Sequence, residues 1–401
     1  MRKAALLLSS ALIAAAGIAA AATAAAEDRA VIVKGFGAKS GVVRSFGINS
    51  EAAMRAAAEL INSQGGVKLA DGGTGKIEVE FLDDRCTAEE GISVVRRMAS
   101  GPTLVAIGPT CSNVAEPLFG VLQKKAGDAT DSGLQFPIFT DVAIKGGLAK
   151  ISEWAFRNVP SESEMYTSLF RWVKQTKPEL NSIFAGVEEN FAHSRATWYA
   201  VMKEAAPKAG LEVKGEAKWL LEDTNFAQQV REIKAASPDI LAIAAHPFTT
   251  CGVLKEMRRQ GVKVKMLIGL TSSSSLETLQ GCAKEADGIV IPTSFAPVTQ
   301  TAEAAAAQAA KYNGSLDLHS AATYENVFIL KKVMEEQGVL AKPDTVQADR
   351  EKIRKGLAAL KETDGLLGKS KRTDDREAVK PYLYVHAKDG KWVVLHNPVT
   401  N

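Results

Sequence analysis

Residues 104–113 read Leu-Val-Ala-Ile-Gly-Pro-Thr-Cys-Ser-Asn, and this stretch decides the fold. The four apolar residues at its start predict a short strand that is buried on both faces, and Gly108-Pro109 ends that strand. The polar residues that follow lead into a helical pattern. A buried strand that turns directly into a helix is typical of a parallel sheet, because parallel strands need crossover connections that are usually helices.

The same alternation of strand-like and helix-like segments extends to both sides of this stretch. After Arg157-Asn158-Val159-Pro160 the alternation starts again, so the chain contains two comparable units. A closing hairpin is predicted where Asp389-Gly390 joins two strand-like segments. The strand-like segments are Ala30–Ala38, Ile77–Leu82, Leu104–Ile107 and Phe136–Phe139 in the first unit, and Ser182–Val187, Glu212–Trp219, Ile240–Ala245, Val264–Gly269 and Ile289–Phe295 in the second.

The sequence therefore predicts an α/β fold with two doubly wound parallel-sheet lobes joined by a hinge. We expect the first lobe to contain residues 27–158 plus about 296–340, and the second lobe to contain 159–295 plus about 341–401. Sheets of this kind bind ligands at the carboxyl ends of their strands. Two such lobes therefore predict a ligand cleft between them.

The first 26 residues have the order of a secretory signal peptide. A basic start, Arg2-Lys3, precedes the apolar stretch Ala4–Ala22, and Ala24-Ala25-Ala26 supplies small residues for cleavage. The apolar stretch is also long enough to be an uncleaved membrane anchor. Its alanine-rich composition and the alanine triplet favour removal, which predicts an exported, soluble protein of 375 residues.

The composition is that of a globular protein and argues against a nucleic-acid binder. Hydrophobic residues make up 46% and charged residues 24% of the 401-residue chain. The formal net charge is +3, and removal of Arg2 and Lys3 with the leader leaves +1. A charge so close to zero creates no global positive field that would hold DNA or RNA.

The chain has four cysteines, Cys86, Cys111, Cys251 and Cys282. An even number in an exported protein favours two disulfides, and the sequence alone allows three pairings. A metal site usually brings C-x-x-C or closely spaced Cys and His, which this sequence lacks, so we expect no metal site. A catalytic thiol would need a histidine partner, and none is evident.

Catalytic and cofactor motifs are mostly absent. There is no G-x-S-x-G elbow and no H-E-x-x-H helix. Gly72–Lys76 resembles a phosphate loop, but Ile77 stands where Ser or Thr is needed, which favours a hairpin turn. His193 and His246 lack the partners of a catalytic triad in their local sequence, and the Lys369–Arg376 charge run is typical of a solvated loop. We therefore expect no catalytic residues, no cofactor and no enzyme.

A series of short motifs follows the order that is typical of one protein family. The motifs are Ser40-Gly41 with Phe46-Gly47, Ile61-Asn62 with Gly65-Gly66, Asp83-Asp84-x-Cys86, and Ile107–Ser112. In these motifs the chain resembles the leucine/isoleucine/valine-type (type I) periplasmic substrate-binding proteins of ABC importers. The resemblance extends from Val31 to the closing hairpin.

This resemblance implies the type I periplasmic binding protein fold and a monomer in the periplasm. Such a protein captures a small amino acid, often a branched-chain one, or a related carboxylate, and delivers it to an ABC permease and its ATPase. The alternatives are an exported sensory module, or transport of aromatic carboxylates or amides. The resemblance also implies that Cys86 pairs with Cys111, whereas the pairing of Cys251 with Cys282 rests on the even count and the exported setting.

In the first lobe, Ser112 and Asn113 stand where a strand ends and a helix begins, so free N–H groups and the positive end of the helix dipole can bind a carboxylate. The alternative is that Ser112 is only the helix cap. The resemblance places Ser112 at the family's carboxylate-binding serine and Thr140-Asp141 in the loop that completes the head-group site. It places Phe46 on the wall of the side-chain pocket, although a core phenylalanine is an alternative.

In the second lobe, the chain departs from the family pattern. Phe191 stands where the family often has a tyrosine, and His246 lies near a family aromatic position. The acidic residue that commonly binds the ligand's ammonium should fall near Leu270 or Thr271, and neither is acidic. Either Asp141 replaces that acid, or the ligand has no ammonium, because an unpaired buried ammonium is costly. Amino acids, amides and aromatic carboxylates all remain possible ligands.

Overall fold

In a computed structural model, residues 28–398 are described, and the expected signal peptide lies outside them. The described chain forms two mostly parallel sheets, as predicted, and one small antiparallel sheet. Each large sheet has a hydrophobic core on both of its faces. Within the described range, no helix is long and apolar enough to cross a bilayer.

Three strands of the first sheet are short and buried along their whole length, as parallel strands usually are, whereas two longer strands each carry exposed residues. Its strands are β1 (Asp28–Gly37), β2 (Val67–Lys68), β3 (Thr74–Asp83), β4 (Val105–Ile107), β5 (Ile138–Thr140) and β6 (Ala155–Arg157). Their order is β2-β3-β1-β4-β5-β6, and every pair is parallel except β2 with β3.

Three helices connect these strands: α1 (Arg44–Ser63), α2 (Ala88–Ser100) and α3 (Ser112–Gly120). Helix α1 begins at Arg44, so its first turn carries Phe46. Helix α3 begins at Ser112, near the end of the stretch that decides the fold. Both helix starts therefore lie at the carboxyl edge of the sheet, where a cleft is expected.

The second lobe repeats this pattern. Its strands are β7 (Ser182–Glu188), β8 (Glu212–Trp219), β9 (Ile240–Ala244), β10 (Met266–Gly269) and β11 (Val290–Thr293). Its helices are α4 (Glu162–Thr176), α5 (Ala192–Ala196), α6 (Lys203–Lys208), α7 (Ala227–Ala236), α8 (Pro247–Arg259) and α9 (Leu276–Cys282). A π-helical turn over Thr197–Met202 joins α5 to α6.

The C-terminal part of the chain contributes to both lobes. It contains α10 (Gln300–Ala310), α11 (Leu318–Glu336), α12 (Val346–Ala359), and then β12 (Glu362–Gly365), β13 (Gly368–Arg372) and β14 (Ala378–Val379), which form the small sheet. The closing hairpin, β15 (Leu383–Lys388) with β16 (Lys391–His396), forms as predicted. It completes the second sheet in the order β16-β15-β11-β10-β9-β7-β8.

Helix α12 packs on the first lobe, whereas the sequence assigned residues from about 341 onward to the second. Ile353 and Leu357 are buried in the core of the first sheet. Arg350 donates hydrogen bonds to the carbonyl oxygens of Thr103 and Ala99, both at 2.9 Å. Helical periodicity predicts that a helix has an apolar face but not which of two sheets covers that face.

Segments that cross between the lobes are held by a buried polar network on α11. Glu325 accepts hydrogen bonds from Asn158 Nδ2 (3.1 Å) and Leu366 N (2.8 Å) and forms an ion pair with Lys380. Arg372 of β13 donates to Asn158 Oδ1 at 2.8 Å. The network therefore connects the crossing after β6 with the crossing that follows α12.

This network explains why the Lys369–Arg376 charge run is not simply the solvated loop that the sequence predicts. The run begins as strand β13, where Lys369 and Lys371 are exposed and Ser370 is buried. Arg372, the last residue of that strand, donates a hydrogen bond to Asn158 at the crossing after β6. A run of charges does not indicate that one of its members has a buried carbonyl or amide partner.

Both predicted disulfides form. Cys86–Cys111 joins the turn after β3 to the start of α3, and Cys251–Cys282 joins α8 to the end of α9. The bonds span 25 and 31 residues. Each lies within a single lobe, so neither restrains the lobes relative to one another.

Candidate functional site

A small enclosed cavity, which we call the inner cavity, lies between the lobes at the carboxyl ends of their strands. Its volume is about 10 Å³, enough for about one water molecule. The residues that line it are Phe46, Thr110, Ser112, Val142 and Ile144 from the first lobe, and Phe191, His193, His246 and Ser272 from the second. All of them except Phe46 follow a strand of their sheet directly or within a few residues.

A second and larger cavity, the outer cavity, adjoins the inner one. It has a volume of about 780 Å³, within the usual range of small-molecule pockets. Phe46 and His246 line both cavities and therefore form the wall between them. The remaining lining of the outer cavity is mixed, with exposed apolar side chains and charged ones; the charged residues are Arg44, Asp223, Lys255 and Glu277.

Ser112 reaches the inner cavity and does not cap its helix. The N-cap position of α3 is Cys111, and no side-chain cap hydrogen bond is present there. The hydroxyl oxygen of Ser112 accepts a hydrogen bond from Lys145 N at 3.2 Å, which leaves its proton available for a ligand. The first N–H groups of α3 also lack partners within the helix, as at any helix start.

Asn113, Thr140 and Thr271 do not line the inner cavity, because each side chain is held elsewhere. Asn113 Oδ1 accepts a hydrogen bond from Ala192 N of the second lobe at 2.8 Å, so it bridges the lobes. Thr140 donates to the carbonyl oxygen of Gly108 at 3.0 Å. Thr271 donates to the carboxylate of Glu162.

Asp141 is buried within the first lobe and also stays outside the cavity lining. One of its carboxyl oxygens accepts a hydrogen bond from Thr323 of α11, and the other has no partner within the described residues. Burial raises the pKa of Asp141 to about 7. A carboxyl that is oriented away from the cavity and is partly protonated near neutral pH is a poor partner for a ligand's ammonium.

His246 forms a buried pair with Glu188. The Nδ1 atom lies 2.5 Å from Glu188 Oε2, and His246 N donates to Glu188 Oε1 at 2.9 Å. The hydroxyls of Ser194 and Thr249 also donate to this carboxylate. Burial alone would raise the pKa of Glu188, but the imidazole and these donors hold it below its usual value. The carboxylate therefore stays ionised and orients the ring.

His193 belongs to a chain of hydrogen bonds that crosses the cleft. Its Nε2 lies 2.9 Å from Glu162 Oε1, and its Nδ1 lies 3.2 Å from the hydroxyl of Ser272. That hydroxyl also lies 2.9 Å from Nε2 of His319, which α11 of the first lobe supplies. Burial lowers the pKa of both histidines, and that of His319 falls well below its usual value.

The sequence matches the family model described as periplasmic binding protein over residues 35–391. The chain belongs to the periplasmic binding protein family. Members of this family that serve ABC transporters bind substrates and are not enzymes. A sequence comparison with curated proteins found no match.

Solved structures show the same fold for this periplasmic binding protein. It superimposes with a TM-score of 0.76 on a branched-chain amino acid binding protein of Streptococcus pneumoniae in complex with isoleucine, at 18% identity and with 92% of this chain and 100% of that chain covered. A leucine-binding protein of Thermotoga maritima gives 0.78 at 15% identity, with 92% and 100% covered. A solute-binding protein of Rhodopseudomonas palustris with benzoate gives 0.76 at 16% identity, with 92% and 96% covered.

Of the site residues that the sequence predicts, this binding protein brings Phe46, Ser112, Phe191 and His246 together around the inner cavity. Their contact with a ligand stays a prediction. Sequence reasoning missed His193, which follows Phe191 by two positions. The sequence identifies the loops at the strand ends but not which of their side chains faces the cleft.

Thr110 lies within the Ile107–Ser112 motif and Ser272 directly follows Thr271, but neither was singled out as a site residue. Glu162 and Glu188 gave no local signal, because their histidine partners are 31 and 58 positions away. Within the described part of the chain, no group of three or more His, Cys, Asp or Glu side chains is arranged to hold a metal ion.

Proposed function

We propose that this protein is a periplasmic solute-binding protein that captures a small organic carboxylate without an α-ammonium group and delivers it to an ABC permease. One observation carries the choice of ligand. The inner cavity is lined by hydroxyls, imidazoles, phenyl rings and aliphatic side chains, and none of its lining residues is acidic. A ligand with an ammonium group would find no carboxylate partner on that lining.

The start of α3 offers a partner for the carboxylate of the ligand. Ser112 can donate its hydroxyl proton, and the unpaired N–H groups of the helix start favour a negative group. Thr110 lines the same cavity, although its oxygen already accepts a hydrogen bond from Ala38 N at 2.9 Å. The first lobe therefore supplies the hydrogen-bond donors that a carboxylate needs.

An apolar or aromatic body fits the rest of the lining. Phe46 and Phe191 approach the cavity from opposite lobes, and Val142 and Ile144 close it from the first. Ring faces and edges at such positions favour a planar apolar group. The benzoate complex of the Rhodopseudomonas palustris protein shows that this fold accommodates such a ligand in a relative.

Amino acids are the competing ligand class, because relatives of the same fold bind isoleucine or leucine. In this chain Glu162 and Glu188 contact histidines of the lining, and both are already paired with these histidines and with hydroxyls. Burying an ammonium beside them would require breaking these bonds. Burying a charge without a partner costs on the order of several kcal/mol.

Ligand entry requires the lobes to separate. The inner cavity of about 10 Å³ holds no molecule larger than water. Hydrogen bonds across the cleft, from Ala192 N to Asn113 and between Ser272 and His319, would have to open. A hinge motion about the crossings near 158–160 and 293–295 supplies such an opening.

A thermal-shift screen on ligand-stripped protein tests the ligand class. We expect benzoate or 4-hydroxybenzoate to raise the melting temperature more than leucine, isoleucine or benzamide, since a ligand at about 100 times its Kd adds about 2.7 kcal/mol of stability. Recovery of the ligand unchanged after incubation would separate binding from turnover. Tighter binding of leucine or isoleucine than of every ammonium-free carboxylate would contradict the proposed class.

Delivery is tested in cells. Deletion of the gene should abolish uptake of the labelled ligand, and a Ser112→Ala copy should restore it only at high ligand concentration. Normal uptake in the deletion strain would show that the protein does not serve a transporter of that ligand.

A further inference from the structure

Three of the five histidines surround the cleft, and they differ in what their ring nitrogens contact. Both nitrogens of His193 are engaged, by Glu162 and Ser272. His319 uses Nε2 for Ser272, and its Nδ1 is buried without a partner in the described structure. His246 uses only Nδ1, and it alone among the three lines both cavities. His246 is therefore the imidazole with a nitrogen left for a ligand.

Glu188 determines which nitrogen carries the proton when the ring of His246 is neutral. This carboxylate is an acceptor only, and it lies against Nδ1, so the proton resides on Nδ1 and Nε2 has a lone pair. A ligand carboxylate that approached Nε2 would then meet a second acceptor. The contact becomes attractive only when Nε2 also carries a proton.

The inner cavity offers no permanently charged cation for that contact. No lysine or arginine lines the inner cavity. Phe46 and Phe191 flank the ring, with centroid distances of 6.0 and 4.3 Å. The titratable or charged groups that face His246 or share its cavities are Glu188 on β7, His193 on α5, His319 on α11, and Arg44, Asp223, Lys255 and Glu277 in the outer cavity.

We propose that His246 recognises the anionic group of the ligand and takes up one proton on Nε2 as that group binds. The proton comes from the solvent, no covalent bond changes, and the product is a buried carboxylate–imidazolium–carboxylate array with Glu188 as its far end. This inference rests on the proposed function, because it requires a carboxylate ligand. It makes His246 the residue that distinguishes an anion from its neutral analogue.

The linkage has a definite sign. Binding that takes up a proton becomes tighter as the pH falls, by at most about tenfold per pH unit for one proton. A neutral analogue such as benzamide has no charge to compensate, so its affinity should be flat with pH. The second lobe would then favour an anion over its neutral analogue only when His246 has taken up a proton.

Calorimetric titration of the wild-type protein with benzoate, from about pH 6 to about pH 8.5, tests the linkage. Benzoate stays ionised over this range. Titrations in buffers of different ionisation enthalpy give the number of protons taken up on binding. For benzoate we expect a number between zero and one, largest at the pH where the affinity changes most steeply. For benzamide we expect no proton uptake. This measurement needs no variant, so a folding defect cannot obscure it.

Two variants locate the proton. His246→Gln keeps a side-chain amide at the position but cannot titrate; benzoate should bind about 10- to 150-fold more weakly at about pH 6, with no proton uptake. His319→Gln is the matched control, since it replaces a cleft histidine that lines neither cavity, and it should retain the uptake. Thermal unfolding and circular dichroism establish that each variant is folded.

The outcomes separate this inference from the proposed function. Benzoate or 4-hydroxybenzoate binding with no proton uptake at any pH, or with uptake that persists in His246→Gln, would overturn the role of His246 and leave carboxylate capture intact. Tighter binding of leucine or isoleucine than of every ammonium-free carboxylate would overturn both.

Discussion

The two lobes present different chemistry to the same cleft. The first lobe supplies the hydroxyls of Thr110 and Ser112, which keep one charge state over the physiological pH range. The second lobe supplies the imidazoles of His193 and His246, each of which is backed by a buried glutamate. A ligand held between them meets hydroxyls on one side and imidazoles with glutamate partners on the other.

The buried carboxyls of the two lobes also differ, because their pKa values are shifted in opposite directions. In the first lobe, burial raises the pKa of Asp84 and of Asp141 to about 7. In the second lobe, histidine and hydroxyl partners outweigh burial and lower the pKa of Glu162 and of Glu188. The lesson is that burial alone does not set the charge of a carboxyl, because the partners that reach it decide whether it stays ionised.

The strongest test of this contrast removes one of the second-lobe carboxylates. Glu188→Ala leaves His246 N, Thr249 and Ser194 without their acceptor in a fully buried site. We expect a loss of about 3–5 kcal/mol in the free energy of unfolding, measured by denaturant titration. Glu189→Ala, at the partly exposed neighbouring position, should cost less than about 1 kcal/mol. Equal losses in the two variants would show that the buried pair does not stabilise the lobe.

A second test weakens the fixed donors of the first lobe. Ser112→Ala should lower the affinity for an aromatic carboxylate by about 10- to 150-fold, because a hydrogen bond to a charged group contributes about 1.5–3 kcal/mol. The free energy of unfolding should fall by no more than about 0.5–1.5 kcal/mol, because Ser112 does not cap α3 and its hydroxyl accepts one bond, from Lys145 N. Calorimetric titration and denaturant unfolding of the same variant measure both quantities. A loss of stability with unchanged affinity would reinstate the helix-cap interpretation.

A third test uses the opposite pKa directions of the lobes. For Asp141 the folded pKa, about 7, exceeds an unfolded value of about 3.9, so the folded state binds more protons between these values. The contribution of Asp141 to stability should therefore increase as the pH falls through this window, by at most about 1.4 kcal/mol per pH unit.

Asp141→Asn, which mimics the neutral carboxyl, isolates this contribution from those of the histidines and glutamates. We expect the free energy of unfolding of the variant, minus that of the wild type, to be highest near neutral pH and lowest near pH 4, which is about the unfolded pKa. Denaturant unfolding at several pH values measures this difference. A difference between the two proteins that does not vary with pH would mean that Asp141 does not titrate in this range.

The smallest effect is expected for the contact that joins the lobes. Asn113→Ala removes the acceptor of Ala192 N, a hydrogen bond that exists only when the lobes are together. Such a bond contributes about 0.5–1.5 kcal/mol, so all ligands should bind about 2- to 12-fold more weakly by the same factor. Small-angle scattering should show a larger open fraction at subsaturating ligand. A change in the preference for benzoate over benzamide would instead place Asn113 in the site.

The fold could be predicted from the sequence because its signal is local. Short apolar runs followed by helical patterns specify parallel strands, and the lobes and closing hairpin follow from them. The lobe assignment of α12 could not be predicted from the sequence, because the apolar face that carries Ile353 and Leu357 fits either sheet. The inward direction of Arg372 was also hidden, because its partner Asn158 lies far away in the sequence.

The site shows the same division. Positions such as Ser112 and His246 follow from the rule that ligands bind at the carboxyl ends of parallel strands. The directions of Asn113 and Thr271 do not, because neighbouring side chains on a tight turn point to different sides. The glutamate partners of the histidines depend on strand order, which determines that β7 lies beside β9 and so brings Glu188 to His246.

The wall shared by the two cavities has a kinetic consequence. Phe46 of one lobe and His246 of the other lie with ring centroids 6.0 Å apart, between the inner cavity and the mouth of the cleft. A molecule inside cannot leave past this wall while the lobes are together. Residence time should then follow the frequency with which the lobes part around the bound ligand. A ligand that contacts both lobes lowers this frequency, because parting breaks its contacts with one of them, so ligands of higher affinity should dissociate more slowly.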